Sequence, residues 1–177
     1  PSAHAYGLVS ASLRTHAWCD VRYMSRMPGL LSFEQVATLP VVWVTAQYVL
    51  CESQLGSVQA GLVHAASGAV GLVCVEWAHR ARACTYATAG SSAKHGALHS
   101  CIVTRRASSR NASASAALLP RLLHGRRLHA LVNALSGDFI ALSLSLLGEG
   151  RTFAEIGKNN TWSLHRASSA QPTVDYL

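Results

Sequence analysis

Ala66-Ser67-Gly68-Ala69-Val70-Gly71 stands between a short apolar run, residues 61–65, and a longer run with helical spacing, residues 68–80. The hexapeptide keeps the G-x-G-x-x-G spacing, with Ala66 in the first glycine's place. That motif needs a strand before it and a helix after it, and both patterns are here. In such a setting a tight turn lets backbone N–H groups approach a pyrophosphate, and the helix N-terminus adds partial positive charge. Gly68, Ala69, Val70 and Gly71 are therefore the candidate phosphate-binding positions. The rival reading is a glycine-rich turn with a structural role only.

Working outward, strands and helices alternate. The helix over 68–80 puts Val70, Val73, Cys74 and Trp77 on one face. Strands are expected at 83–88, 101–103, 128–133 and 151–156, and helices at 93–99, 114–123 and 138–147, the second broken or started at Pro120. Strands separated by helices of this length imply βαβ units and a parallel sheet, so an α/β fold of the Rossmann, doubly wound type. The tail 159–177 reads as irregular until a strand at 173–177, a candidate pairing edge. Upstream, 5–10 and 15–23 hold short apolar stretches and Met27-Pro28-Gly29 marks a turn. Ser32 before Glu34-Gln35 signals a helix start, and Pro40 suits the first turn of an apolar helix over 41–50.

The second strand bears on the cofactor. An NAD site carries Asp or Glu about 20 residues beyond the glycines, where it binds the ribose 2′-hydroxyl. Here Thr88-Ala89-Gly90-Ser91-Ser92-Ala93-Lys94 contains no acid. Hydroxyls and a lysine suit a 2′-phosphate, so the reading is NADPH. The alternative is a solvated loop with an exposed lysine.

Composition narrows the class. Of 177 residues, 50% are hydrophobic and only 13% charged, which favours a packed core over disorder. The net charge of +7 comes almost wholly from arginine, since Lys94 and Lys158 are the only lysines. Basic residues gather at 104–110 and 121–127, where solvated loops and helix ends compete with an anion-binding patch. No stacking-aromatic or recognition-helix pattern accompanies the charge, so nucleic acid is not an expected partner. Five scattered cysteines without a CxxC pair argue against a disulfide framework and against zinc, and no metal is expected. A reducing, cytoplasmic setting follows as the expectation. No run reads as a membrane span, and Pro1-Ser2-Ala3 reads as a cut end.

Four ordered motifs resemble the enoyl-reductase region of polyketide and fatty acid synthases. Residues 39–46, Leu-Pro-Val-Val-Trp-Val-Thr-Ala, are similar to that family's LPVVFLTA helix, and residues 63–71 to its VHAAAGGVG turn. Residues 131–137 resemble VLNSLSG, and residues 150–158 resemble GRFVEIGK; residues 27–38 resemble the segment preceding the helix. This is the zinc-free, quinone-oxidoreductase-like branch of the medium-chain dehydrogenase/reductases. The resemblance implies 1–52 as the end of a GroES-like β-barrel substrate domain with its connecting helix. It implies 53–158 as the NADPH-binding Rossmann domain, and 159–177 as a C-terminal return segment.

The resemblance also implies site residues. Gly68, Ala69, Val70 and Gly71 would hold the pyrophosphate. Thr88, Ser91, Ser92 and Lys94 would lie near the adenosine ribose and its 2′-phosphate. Thr45, Asn133, Ala134, Gly157 and Lys158 would border the nicotinamide. The implied reaction is hydride transfer from NADPH to an α,β-unsaturated acyl thioester on an acyl carrier protein, followed by protonation. Lys94 matches the neighbourhood of a family lysine proposed as proton donor. Asn111 stands where the family has an aspartate, and an amide cannot act as a general acid. Ala69 and Ala134 replace a usual glycine and serine. Partners implied are the acyl carrier protein, other synthase domains of a multifunctional enzyme, and a homodimer; no membrane partner is implied. The alternative reading is a non-catalytic structural or docking remnant of such a domain.

Overall fold

Six parallel strands, in the spatial order β5 (Arg105–Ser108), β4 (Cys84–Ala89), β3 (Ala60–Val63), β6 (Leu128–Asn133), β7 (Leu147–Glu155) and β8 (Asp175–Tyr176), carry the larger part of the chain. The computed structural model describes residues 4–10 and 13–177. Pro1, Ser2 and Ala3, read above as a cut end, lie outside the described residues. The chain divides into two compact units, Pro1–Thr45 and Ala46–Leu177. The division falls before residue 52 because the second half of the apolar helix is buried with the sheet.

In the first unit, β1 (Ala5–Gly7) pairs antiparallel with β2 (Met24–Arg26). Over 15–23, read as a short apolar stretch, the chain makes loops and a 3-10 turn at Val21–Tyr23, started by Asp20 accepting from Arg22 N–H. Ser32 and Gln35 form a reciprocal capping box on α1 (Phe33–Ala37). Helix α2 (Leu39–Ser53) follows at once, with Pro40 in its first turn.

Together α1 and α2 are long and apolar enough to cross a bilayer by length and composition, where no run of the sequence was expected to. Ala46, Val49 and Leu50 are instead packed into the protein core.

The second unit explains its own strand sequences. Successive residues of a strand face opposite sides of the sheet. Leu62, Tyr86, Leu131 and Phe153 enter one core, with Leu119 and Leu123 of α5 (Ala112–Leu123) and Ile140 and Leu144 of α6 (Asp138–Leu146). Their neighbours Val63, Ala87, Val132 and Ala154 enter the other. That core also holds Ala46, Val49 and Leu50 of α2, Cys74 and Val75 of α3 (Ala69–Arg80), and Leu98 of α4 (Ser92–Ser100). Both faces are covered, so β3 (Ala60–Val63), β4 (Cys84–Ala89) and β6 (Leu128–Asn133) read as nearly continuous apolar runs.

Several expectations are corrected. The buried face of α3 is Gly71, Cys74, Val75 and Ala78, while Trp77 stays 37% exposed and Val70 and Val73 only flank the core. No strand forms at 101–103. Ile102 takes a left-handed φ of 65° and lies exposed in a turn, and β5 forms later, at Arg105–Ser108, where only Ala107 is buried. Pro120 neither starts nor breaks α5: it lies inside the helix, which ends three residues later at Leu123. Strand β7 (Leu147–Glu155) begins earlier than expected. The tail 159–177 is not irregular: it holds α7 (Leu164–Ala170) and then β8 (Asp175–Tyr176), which becomes the outer strand beside β7.

Candidate functional site

Chain order reverses between β3 and β6, and in open parallel sheets of this kind the crevice at the strands' carboxyl ends beside that point is where ligands bind. The turn after β3 sits there. Its left-handed residue is Ala65 (φ 47°), not Ala66, which is why alanine is tolerated in the first glycine's place. The turn is tied to the end of β4: Ala66 N–H donates to Thr88 O (3.0 Å) and Ala65 N–H to Thr88 Oγ1 (3.1 Å). Gly68 caps α3 without any side-chain hydrogen bond, and Gly68 and Ala69 are exposed. By contrast Ser91, Asn111 and Ser163 each accept a backbone N–H at the start of α4, α5 and α7. The α3 amides are thus left for an outside acceptor. Gly71 is the close-approach glycine: a Cβ there would lie 2.6 Å from Ala66 Cα and 2.8 Å from Ala66 O.

Thr88 is not an open ligand position. It is wholly buried, and its hydroxyl is engaged by Ala65 N–H and by His64 Nδ1 at 3.1 Å. His64 in turn reaches Ser143 Oγ through Nε2 at 2.7 Å and meets Phe139 edge-on at 5.7 Å between ring centres. Burial pushes the His64 imidazole down to about 3, so it is neutral. With Thr88 donating to Nδ1 and Nε2–H donating to Ser143, the buried groups are satisfied. This bridge from turn to α6 was not anticipated from the sequence. Its only signal was a polar residue in an otherwise apolar strand end.

At the ends of β4 and β5 the remaining cofactor positions gather. Ser91 Oγ accepts Lys94 N–H at 3.4 Å, and Ser91, Ser92 and Lys94 are exposed in the first turn of α4. A residue not singled out joins them: a Cβ on Gly90 would lie 2.9 Å from Arg110 Nε. Two cations therefore flank an acid-free strand end. Asn111 follows Arg110 and is a helix cap, its Oδ1 accepting Ala114 N–H at 2.8 Å. Asn111→Ala should cost about 1 kcal/mol of stability, while Asn111→Asp should leave it nearly unchanged, in urea unfolding.

The far side of the crevice is a buried polar knot. Asn133 has no exposure, and its Nδ2 donates to Leu135 O (2.6 Å) and Glu155 Oε2 (2.7 Å) while its Oδ1 accepts Leu135 N–H (3.2 Å). Glu155 Oε1 accepts Gly157 N–H at 2.7 Å, the reason that position takes glycine: a Cβ would lie 2.7 Å from that oxygen. Tyr176 of β8 donates to Glu155 at 3.5 Å, and burial, then Glu155, pushes its phenol up to about 12. Asn133 is thus a structural tie, Ala134 is half-buried in the loop after it, and Lys158 is exposed beyond Gly157. Thr45 belongs to the first unit, where its hydroxyl donates to Val41 O at 2.7 Å. Among the described residues no His, Cys, Asp or Glu side chains gather in threes as a metal site.

No protein-family profile matches the chain. It is 33% identical over 181 residues to the pikromycin polyketide synthase component PikAII of Streptomyces venezuelae, an alignment covering 99% of this chain and 5% of that protein. It is similar in structure to the CurK enoyl reductase, with a TM-score of 0.84 and 32% identity over 90% of this chain and 48% of the other. It is also similar to the nucleotide-binding subdomain of the enoylreductase domain of PpsC from Mycobacterium tuberculosis, with a TM-score of 0.68 and 30% identity over 77% of each chain.

Proposed function

The chain belongs to the enoyl-reductase domains of polyketide synthases, and we propose that it supplies the NADPH-binding half of the site for reduction of an enoyl thioester on an acyl carrier protein. The observation that carries the proposal is the pairing of two features at the switch point. One is an uncapped helix N-terminus packed by Gly71 onto the turn before it; the other is an acid-free strand end with Lys94 and Arg110 beside it. The first fits a pyrophosphate and the second fits a 2′-phosphate.

When bound, the reduced nicotinamide supplies the hydride. The chain's own contribution is binding and orientation. The amides of Ala69 and Val70 would hold the diphosphate, while Gly68 N–H donates to Ala65 O at 2.9 Å and so closes the turn. Ser91, Ser92, Lys94 and Arg110 read the ribose phosphate. The knot of Asn133, Glu155 and Gly157 fixes the strand ends that Ala134 and Lys158 extend. Thr88 acts by shaping the turn.

A second reading has one observation in its favour. Asn111 occupies the position of the family's aspartate, and its side chain is engaged as a cap. A domain without that acid fits a structural or docking element that retains its nucleotide fold.

Titration of NADPH and NADH against the chain, followed by nicotinamide fluorescence, tests the cofactor assignment. NADPH should bind more tightly, and Lys94→Ala or Arg110→Ala should each lower the preference about tenfold, as expected for loss of one hydrogen bond to a charged group. Absence of binding at millimolar NADPH defeats the reading, and equal loss for both nucleotides defeats the role given to the two cations. Turnover of an enoyl thioester on a carrier protein separates the catalytic reading from the docking one.

A further inference from the structure

At the opposite end of the strands from the glycine turn lies a cleft of about 330 Å³ that the dinucleotide reading leaves unexplained. Its origin is a register shift between β6 and β7. Two steps along β6, from Leu128 to Ala130, are matched by five along β7, from Leu147 to Thr152. The excess of β7 bulges out of the ladder, helped by Gly150 in the left-handed region at φ 61° and held by Gly150 N–H donating to Thr173 O at 2.8 Å. Such bulges re-aim side chains at sheet rims.

The bulge aims basic residues. Arg151 lines the cleft from the bulged stretch of β7, and Arg126 and Arg127 arrive from the turn after α5, where His124 and Gly125 are both left-handed. A Cβ on Gly148 would lie 3.4 Å from both Arg127 Cβ and Arg151 Cγ, so the stems of these two arginines flank one bare stretch of backbone. The Arg127 guanidinium donates to Ser145 O. Among the described residues neither Arg126 nor Arg151 has an ion-pair partner or donates a side-chain hydrogen bond.

His129 stands in the bulged segment of β6. Its Nδ1 accepts Ala60 N–H at 3.2 Å, which leaves Nε2–H as a neutral donor. Burial, then Arg151 and Arg126, lower its proton affinity. The one acid on the cleft is Glu149, which is exposed. At the rim Val58, a β-branched residue, is held at a left-handed φ of 58° and is 75% exposed. Strain of this kind in a non-glycine residue gathers at ligand sites.

We infer that this cleft is an anion site for a phosphate group, with Arg126 and Arg151 as charged donors, Arg127 as a rim cation and His129 Nε2 as a neutral donor. Guanidinium forks match phosphate oxygens in geometry as well as charge, and three cations against one carboxylate leave the cleft with a net positive field. The phosphate can be a free ion or the esterified group of a larger molecule, two sources that share this chemistry.

The test uses the whole chain and the His129 imidazole signals in NMR, because they report this cleft and not the glycine turn. Inorganic phosphate, titrated at constant ionic strength, should shift those signals saturably and raise the His129 pKa, since a bound anion offsets Arg151 and Arg126. Arg126→Gln with Arg151→Gln should weaken binding by about tenfold or more. Glu149→Gln, which leaves every donor in place, should tighten it, so the inference stays testable if the arginine variant fails to fold. Diethyl phosphate is the second arm: binding comparable to inorganic phosphate assigns an esterified group, and binding only of the inorganic ion assigns a free one. No saturable shift at His129 by either, or an unchanged shift in both variants, overturns the inference. Saturation by a polyglutamate peptide alone overturns it in favour of an acidic protein segment.

Discussion

Gly71→Ala should cost about 2–4 kcal/mol of stability and abolish nucleotide binding in the same step. The added Cβ meets backbone, at 2.6 Å from Ala66 Cα and 2.8 Å from Ala66 C and O, so no side chain can swing aside. Relief requires α3 to retreat from the turn, which carries the Ala69 and Val70 amides away from any diphosphate. Gly96 on α4 is the control. A Cβ there meets nothing within 4 Å, and alanine should stabilise the helix by about 0.5–1 kcal/mol. Urea unfolding midpoints and an NADPH titration on both variants read the contrast. A Gly71→Ala protein as stable as its parent would remove the basis for the close-approach role.

Acid should weaken the domain chiefly through one residue. His64 titrates near 6.5 in an unfolded chain and at about 3 when buried between Thr88 and Ser143. Between those values the unfolded chain binds a proton that the folded one refuses. The stabilisation is therefore complete above about pH 6.5 and is lost as pH falls, by about 1.4 kcal/mol per unit, until the folded value is reached. His64→Ala should cost about 3 kcal/mol at neutral pH, because it opens a cavity and leaves two buried hydroxyls short of a partner. The variant should also lose most of the acid slope. Unfolding midpoints measured from pH 7 to pH 4 give both quantities, and an unchanged slope in the variant would assign the acid sensitivity elsewhere. His129 adds a smaller effect of the same sign.

The strand–turn–helix unit around Gly68 was legible because three signals agreed: the apolar run, the glycine spacing and the helical periodicity. The same holds for β6, whose bounds match the sequence expectation, since Leu128–Asn133 is buried on both faces and flanked by glycine and charge. What escaped notice depended on contacts distant in sequence. Arg105 and Arg106 look wrong for a strand until one sees that β5 is a sheet edge, where charge is tolerated. Trp77 fits the helical stripe by spacing, yet the small residues Gly71 and Ala78 win the buried side because α3 packs tightly on the sheet.

The site divides in the same manner. Positions on turns and exposed first turns, such as Gly68, Ser91 and Lys94, are candidates that local pattern alone suggests. Thr88 and Asn133, expected beside the nucleotide, are buried and hydrogen-bonded within the fold, and local pattern gives no pointer to Arg110, Glu155 or His64. Their roles arise only when the ends of different strands are brought side by side.

The central pair of the sheet has a kinetic consequence. β3 and β6 are neighbours in space, yet Ala60 and His129, joined at their lower ends, are 69 residues apart in sequence. Each half of the sheet can pair its own strands over shorter loops, but joining the halves closes a long one, and late closure of such contacts is what slows parallel folds. The crevice beside the glycine turn exists only once that seam has closed. A nucleotide held there would act as a clasp on the last-made contact, slowing separation of the two halves more than it speeds the assembly of either.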